Sequence, residues 1–399
     1  MICETTSFFR KFAPILRFLE PLPPLFSMRI LIHAANLTVG GGLAIGLDLL
    51  RAWLQKGDDL HVLASPPIAR FLQTEGVSPK CWTAVSKSPG SSWQAGSYFR
   101  KIARQTESSF RPEVVFSIFG PPCWRPRAPH LCGFANGLYF AQKPVLPYGI
   151  KPHWRKTLLH RIRRWLVFRS MQKDTDVIWV ETAAARQKLL SIIGPKRIEV
   201  VPNEIYFFFR KNFGRTNLPF KTPVRALIVA AGYPHKNFAL LRALLQNPQL
   251  ASGFCFHTTL PDADFKRYFP EITAIKNLGP LSSSQLADAY READCVVCPS
   301  RAEIFSATWL EAMAAGKPLI CANIPSAREI CGPAALYFED NNPGSLEAVL
   351  MQLRENPALQ KELVRQGLIR LAELQPTISR AERLYQLLSN LADPNTAAS

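Results

Sequence analysis

The chain has 399 residues, of which 47% are hydrophobic and 20% charged, and its formal net charge is +18. This composition is typical of a globular protein, and the length predicts two domains that each bury a core. No run of about eighteen uncharged apolar residues occurs, so the sequence predicts no transmembrane helix. The nine irregularly spaced cysteines indicate buried thiols in a reducing compartment rather than a disulfide or zinc framework.

The first half of the chain alternates predicted strands and helices. Residues 1–27 precede this pattern and are predicted to be a disordered N-terminal extension. The predicted strands are residues 29–34, 60–64, 114–119, 177–180 and 198–201. A glycine-rich turn is predicted at 36–42 and helices at 43–56 and 182–193, the second capped by Thr182. This alternation predicts a Rossmann-like α/β domain over residues 28–205, built on a doubly wound parallel sheet.

The pattern stops and then restarts in the second half. Residues 206–223 are predicted to be a linker, and 224–375 a second Rossmann-like domain. Its predicted strands are residues 224–230, 254–258, 272–278, 295–298 and 319–322, and its predicted helices are 238–245, 284–292, 307–315, 346–355 and 358–373. A last helix within 376–391 is predicted to pack back on the first domain, followed by a tail at 392–399.

Two carboxylates eight residues apart follow the predicted strand 295–298. Glu303 lies in the loop, and Glu311 lies on the next helix, which Ser306 is predicted to cap and Gly316 to end. Open α/β sheets bind ligands at the carboxyl ends of their strands, where helix N-termini also favour phosphate. The spacing therefore predicts a ligand site at this edge of the second domain.

These residues belong to a longer set of motifs. The set comprises residues 232–237 (Gly-Tyr-Pro-His-Lys-Asn), 277–282, 299–300, Glu303, Glu311, 316–318 and 325–329, with 40–42 and 201–203 in the first half. In this order they resemble the retaining glycosyltransferases of family 4, over roughly residues 28–391. The resemblance implies the GT-B fold, in which two Rossmann-like domains face each other across a cleft.

The resemblance also implies a retaining hexosyltransferase that uses a nucleotide-sugar as its donor. Its implied catalytic residues are Lys236, which would hold the leaving diphosphate, and Glu303, which would contact the transferred sugar. The implied donor-binding residues are Gly41, Gly42, Lys236, Asn237, Glu303, Phe305, Ser306 and Glu311, the last on the nucleotide ribose. No metal and no cofactor are implied. Glu329 also matches a family position, although a carboxylate at a helix start is an equal interpretation.

The sequence departs from the family pattern in two places. Family members often carry an arginine shortly before the lysine, whereas here Ala230 and Ala231 precede residues 232–236; His235 or Arg301 is a candidate replacement. Members also often carry a histidine at a strand end of the first domain, facing the sugar. In the comparable stretch 130–137, His130 and Asn136 are the candidate sugar or acceptor residues, and a core or strand-edge histidine is the alternative for His130.

Residues 151–173 contain eight lysines and arginines, no acid, and several tryptophans and aliphatic residues. A basic amphipathic helix of this kind favours an anionic membrane interface, with a solvated helix packed on its sheet as the alternative. Nucleic acid is not predicted as a partner, because no zinc spacing or RNA-binding aromatic motif accompanies the charge.

The predicted function is therefore transfer of a sugar to a glycan or lipid-linked acceptor with retention of configuration. The family-level expectation is cell-envelope polysaccharide or lipopolysaccharide synthesis, by a cytoplasmic protein held peripherally at the cytoplasmic face of the membrane. Two alternatives stay open. One is a catalytically inactive GT-B-like scaffold protein in a membrane-associated glycan assembly, and the other is an epimerase or phosphorylase on the same architecture.

Overall fold

The computed structural model describes residues 28–204, 218–270 and 272–393. The predicted extension at 1–27, most of the predicted linker and most of the predicted tail lie outside these residues. Among the residues described, no helix is both long and apolar enough to cross a membrane.

A parallel sheet of seven strands forms the centre of the described part of the N-terminal domain, in the order β3-β2-β1-β4-β5-β6-β7. The strands are β1 (Arg29–Ala34), β2 (Asp59–Ala64), β3 (Trp82–Ala84), β4 (Val114–Ser117), β5 (His130–Gly133), β6 (Val177–Val180) and β7 (Arg197–Val200). The helices are α1 (Gly40–Leu54), α2 (Pro66–Thr74), α3 (Trp93–Phe110), α4 (Trp154–Lys173) and α5 (Ala183–Ile193). Strands β4, β5 and β6 are buried on both faces, as expected for a sheet covered by helices on each side.

The C-terminal domain repeats the architecture with six parallel strands among its described residues, in the order β10-β9-β8-β11-β12-β13. Its strands are β8 (Val224–Ile228), β9 (Phe254–Thr258), β10 (Ile275–Asn277), β11 (Cys295–Cys298), β12 (Leu319–Ala322) and β13 (Ala335–Phe338). Its helices are α6 (Phe238–Leu244), α7 (Pro248–Gly253), α8 (Asp262–Tyr268), α9 (Ser283–Glu292), α10 (Ala307–Ala314), α11 (Pro325–Cys331), α12 (Pro343–Glu355) and α13 (Pro357–Glu373). The predicted fold class, two doubly wound parallel-sheet domains, is confirmed.

The last helix, α14 (Arg380–Ala392), lies on the N-terminal domain. Leu384, Leu387 and Leu388 are buried in the same apolar cluster as strands β1 and β4. The Trp53 indole N–H donates to the Ala381 carbonyl at 3.1 Å, and the Tyr385 hydroxyl donates to Asp58 Oδ1 at 3.0 Å. The chain therefore returns to its first domain after completing the second.

Two local predictions need correction. Helix α1 begins at Gly40, so the glycine triplet forms the first helical turn instead of a turn that precedes the helix. Gly40 has a φ of +74°, in the left-handed region that glycine adopts without strain. Ser306 does occupy the N-cap of α10, but its side chain accepts no capping hydrogen bond. Gly316, with a φ of +64°, follows α10 as the sequence predicts.

Candidate active site between the two domains

Lys236 and Glu303 form an ion pair at the carboxyl edge of the C-terminal sheet. Lys236 lies in a short turn after β8, and Glu303 lies in the loop after β11, the strand next to β8. Their Nζ and Oε1 atoms are 2.5 Å apart, and both side chains are largely buried. The Arg301 amide donates to the His235 carbonyl at 2.9 Å, so the backbones of the two loops are also joined.

The Glu303 loop is held in place from two further sides. The Ser326 hydroxyl, at the start of α11, donates to the Glu303 carbonyl at 2.7 Å. Ile304 is buried among residues of the N-terminal domain, in the cluster that includes Phe134 and Val180. A single loop therefore carries the ion pair and reaches across to the other domain.

Glu311 lies one helical turn into α10 and is almost fully buried. The Tyr290 hydroxyl of α9 donates to its Oε2 atom at 2.7 Å. Burial raises the pKa of Glu311 to about 7, and the hydrogen bond from Tyr290 opposes that rise. Phe305 and Ser306 are half-buried between the two carboxylates, and the Phe305 ring packs edge-on against Trp309 at 6.0 Å between centroids.

Asn237 and the glycines are placed differently from one another. Asn237 directly follows Lys236 with a φ of +60° and is fully buried. Its amide atoms have no hydrogen-bond partner within the residues described. Gly41 is exposed at the start of α1, where an added Cβ would meet nothing within 4 Å, whereas a Cβ on Gly42 would touch Phe119 at 3.5 Å. Packing therefore does not require a glycine at position 41. Because no atom of the described residues lies near this position, a ligand has space to approach the backbone closely.

The two candidate acceptor residues have opposite surroundings. His130 is completely buried, and its ring is bonded to the Ser117 hydroxyl at 2.8 Å and to the Asp174 carbonyl at 2.7 Å. Burial lowers its pKa to about 4. His130 is therefore a neutral core histidine, which is the alternative that the sequence offered for it, and its ring does not face the cleft. Asn136 is exposed, and its side chain caps the turn that begins at Gly137.

The turn after Asn136 approaches the Glu303 loop directly. A Cβ added to Gly137 would lie 3.1 Å from the Ala302 carbonyl oxygen, so a side chain there would push the two loops apart. Asn136, Lys236 and Glu303 thus lie on loops that meet between the domains. The site is formed by both domains together.

Glu329 joins the domains at a second point. Its Oε1 and Oε2 atoms accept from the amides of Ala183 and Ala184, each at 2.6 Å, at the start of α5. A carboxylate at a helix N-terminus neutralises unpaired N–H groups and the positive end of the dipole. Glu329 therefore does interact with the start of a helix, but this helix is α5 of the N-terminal domain and not its own helix α11. Arg301 makes a third contact, donating to the Leu146 carbonyl at 3.1 Å.

Glu181 is a site residue that the sequence prediction missed. It follows β6 and is buried, its carboxylate accepts a hydrogen bond from the Asn203 amide, and its pKa rises to about 7 through burial. The nearby Glu303 carboxylate raises this pKa further. Its position directly after a buried strand of the first domain was the available signal.

Two Asp-x-Asp pairs occur among the described residues, at 174–176 and 262–264, and their carboxylates have protein partners. Asp174 accepts from Ser170 and Asp176 pairs with Arg125. Asp262 accepts a hydrogen bond from Asn277, and Asp264 forms an ion pair with Arg267 on α8. No group of three or more histidine, cysteine or acidic side chains in the described ranges is placed to hold a metal ion.

Part of this chain is similar in sequence to known glycosyltransferases. Residues 272–369 match the family model described as "Glycosyl transferases group 1". The MMP alpha-(1->4)-mannosyltransferase of Mycolicibacterium hassiacum is 26% identical over 230 residues, which cover 54% of this chain and 53% of that protein. The chain spans between 19% and 53% of the length of the curated relatives it matches.

Solved structures match over nearly the whole chain. Sucrose-phosphate synthase from Thermosynechococcus elongatus superposes with a TM-score of 0.70 at 16% identity, covering 93% of this chain and 100% of that one. WaaG, a glycosyltransferase involved in lipopolysaccharide biosynthesis, superposes with a TM-score of 0.66 at 13% identity, covering 90% and 99%. This chain thus has the GT-B fold, as predicted, and its residues 272–369 are similar to the glycosyl transferases group 1 family.

Proposed function

We propose that this chain is a retaining glycosyltransferase of family 4 that moves a sugar from a nucleotide-sugar to a glycan or lipid-linked acceptor. The observation that carries the proposal is the Lys236–Glu303 pair, with 2.5 Å between Nζ and Oε1, at the sheet edge that faces the other domain. A buried ammonium beside a carboxylate suits a substrate that presents both a phosphate and hydroxyl groups.

The roles of these residues follow from the charge that develops in the reaction. The bond between the anomeric carbon and the diphosphate breaks, and negative charge grows on the phosphate oxygen, which the Lys236 ammonium stabilises. Glu303 accepts hydrogen bonds from the hydroxyls of the sugar, and Glu311 accepts from the ribose. The acceptor oxygen bonds to the anomeric carbon on the face the phosphate leaves, and its proton passes to the leaving phosphate. This route retains the configuration and needs neither a separate base nor a resident metal or cofactor.

Closure of the cleft supports transfer over hydrolysis. The Glu329 contact with α5 and the burial of Ile304 in the N-terminal domain bring the two sheet edges together around Lys236 and Glu303. Exclusion of water strengthens the electrostatic contacts inside and keeps water from attacking the sugar in place of the acceptor.

We further propose that helix α4 holds the protein, from the cytoplasm, against an anionic membrane surface. Its inner face packs Val167, Phe168 and Met171 into the domain, while its outer face leaves large apolar side chains in solvent. These exposed residues are Trp154 (63%), Leu158, Leu159, Ile162, Trp165 (58%) and Leu166. The basic residues of 151–173 are interspersed among them along the helix, and a cluster of basic residues favours an anionic membrane surface. Because lipid-linked acceptors lie in the membrane, we also propose such an acceptor and a role in cell-envelope polysaccharide or lipopolysaccharide synthesis.

The donor site is tested with purified protein. UDP, GDP, ADP and dTDP and their common sugars are screened by thermal shift, and the donor that binds is then assayed for transfer and hydrolysis. We expect Lys236→Ala and Glu303→Ala to lower turnover at least about a hundredfold while the proteins stay folded. Lys266→Ala and Glu292→Ala, exposed residues of the same domain, are the matched controls. Wild-type turnover in both site variants would refute the proposal.

The same screen separates the alternatives. Arg301, a candidate replacement for the arginine missing before Lys236, binds Asp340 and the Leu146 carbonyl instead of pointing at the lysine. That arrangement favours the inactive scaffold as second candidate. Nucleotide binding without turnover on any acceptor would support it, and inversion at a ring carbon without transfer would indicate an epimerase.

Membrane binding is tested by flotation with lipid vesicles. We expect the wild type to float with vesicles that contain about 30% anionic phosphatidylglycerol. It should not float with vesicles of phosphatidylcholine alone. The double variant Trp154→Ser/Trp165→Ser should lose most of this binding. Leu368→Ser/Ile369→Ser, which changes exposed apolar residues of α13, should retain it. Equal flotation of both double variants would refute a role for α4.

A further inference from the structure

The carboxylate of Glu311 has two different oxygen environments. Oε2 accepts the Tyr290 hydroxyl at 2.7 Å, while Oε1 makes no hydrogen bond with any residue the structure describes. Tyr290 is 1% exposed and Glu311 6% exposed. No lysine or arginine of the described ranges forms an ion pair with Glu311. One oxygen is therefore satisfied by the protein, and the other lacks a donor.

The tyrosine is itself held in place. Thr308, in the first turn of α10, donates a side-chain hydrogen bond to the Tyr290 oxygen, and the Cys298 thiol of β11 lies close by. The hydroxyl of Thr308 thus directs that of Tyr290 toward Glu311. This forms a chain of three side chains from two helices, which fixes the direction of the carboxylate.

We infer that Tyr290 is a positioning residue that orients Glu311 so that its Oε1 atom receives a ribose hydroxyl of the donor nucleotide. The inference rests on the proposed function and adds to it a preference for ribonucleotide over deoxyribonucleotide donors. A buried acceptor that is built to receive a substrate hydroxyl rejects an analogue that lacks the hydroxyl, because the acceptor is then left unpaired.

A purely structural tyrosine would behave differently. If Tyr290 only filled space and satisfied a buried carboxylate, its loss would weaken binding of every nucleotide by the same factor. If it positions Glu311, its loss should weaken ribonucleotides more than deoxyribonucleotides. The ratio of the two dissociation constants is therefore the informative quantity.

The test measures dissociation constants by isothermal titration calorimetry for UDP, GDP and ADP and their 2′-deoxy counterparts. For the wild type we expect the preferred ribonucleotide to bind about tenfold or more tightly than its 2′-deoxy form. In Tyr290→Phe this preference should fall to about threefold or less. Tyr385→Phe is the matched control, since it removes another buried tyrosine hydroxyl that donates to a carboxylate, but in the other domain. Its preference should equal that of the wild type.

The outcomes separate the two proposals. An unchanged ribose preference in Tyr290→Phe, with both forms weakened equally, overturns the inference and leaves the donor site standing. If the wild type binds the ribonucleotides and their 2′-deoxy forms equally, the inference is also overturned and the donor site still stands. A wild type that binds only dTDP overturns the inference and leaves the donor site standing. A wild type that binds neither these nucleotides nor dTDP overturns the proposed function itself. If Tyr290→Phe does not fold, Thr308→Val serves instead, and its ribose preference must lie below that of the wild type.

Discussion

Replacing Glu311 by glutamine should stabilise the ligand-free protein at alkaline pH. Folding raises the pKa of this carboxyl from 4.5 to about 7, because burial disfavours its charged form. Between those values the native state binds more protons at this site than the unfolded state does. Stability therefore falls as the pH rises through this window, and the loss is complete above pH 7. Glutamine does not titrate, so the variant lacks this loss.

The size of the effect follows from the two pKa values. At ~1.4 kcal/mol per pH unit, a pKa of about 7 in place of 4.5 costs about 3 kcal/mol once both states are ionised. At pH 5 most of that cost is not yet present, because the native carboxyl is still protonated. Relative to the wild type, Glu311→Gln should therefore gain about 2 kcal/mol of unfolding free energy between pH 5 and pH 8.

Urea unfolding of both proteins at pH 5, 6, 7 and 8 measures this difference. The Tyr290 hydroxyl can donate to the glutamine carbonyl oxygen, so the variant keeps its hydrogen bond. Glu181→Gln is an informative companion, because burial also raises the pKa of Glu181 to about 7 and the same gain is expected there. A stability difference between Glu311→Gln and the wild type that stays constant from pH 5 to pH 8 would refute the reasoning.

Three further predictions concern the contacts between and within the domains. Glu329→Ala removes two charged hydrogen bonds between the domains, at the start of α5. Their loss should favour separation of the domains by about 2 kcal/mol and increase the radius of gyration in small-angle X-ray scattering, and an unchanged radius would contradict this. Gly133→Ala places a Cβ 2.1 Å from the Ile118 carbonyl oxygen and should lower the melting temperature by about 10 °C or prevent folding. The control Gly344→Ala places its Cβ 3.5 Å from the nearest atom and should leave the melting temperature nearly unchanged. Leu388→Ala opens a cavity where α14 meets the N-terminal domain and should cost about 2–5 kcal/mol in urea unfolding, and a cost below about 1 kcal/mol would mean that α14 is not part of that core.

The strands that the sequence predicted well are those buried on both faces. Val177–Val180 and Cys295–Cys298 are continuous apolar runs between polar residues, so their bounds are visible in the sequence. Strand β3 (Trp82–Ala84) was missed, because it is short, lies at the sheet edge and is not fully buried. Helix α3 was missed as well, since it is rich in polar residues and much of its buried face consists of small or polar side chains such as Ala95, Ala103 and Thr106.

The site was predictable where it depends on neighbouring strands. Lys236 and Glu303 each follow a strand of one parallel sheet, and their loops meet because β8 and β11 are adjacent. Contacts between the domains were not predictable in the same way. Glu329 lies 146 and 145 positions after Ala183 and Ala184, whose amides it binds. The geometry of this contact is set by how the two sheets face each other. The burial of His130 likewise depends on Ser117 and Asp174, which no local pattern connects to it.

The Lys236–Glu303 pair has a consequence for donor binding. In the ligand-free protein the lysine compensates Glu303, so the loop after β11 keeps its shape before any donor arrives. A diphosphate that enters the site competes for the same ammonium, and Glu303 then loses part of its charge compensation. Sugar hydroxyls that donate to Glu303 restore it. A nucleoside diphosphate without its sugar satisfies only the lysine, so the intact donor should bind more tightly than the bare nucleotide. Equal affinities would indicate that Glu303 does not contact the sugar.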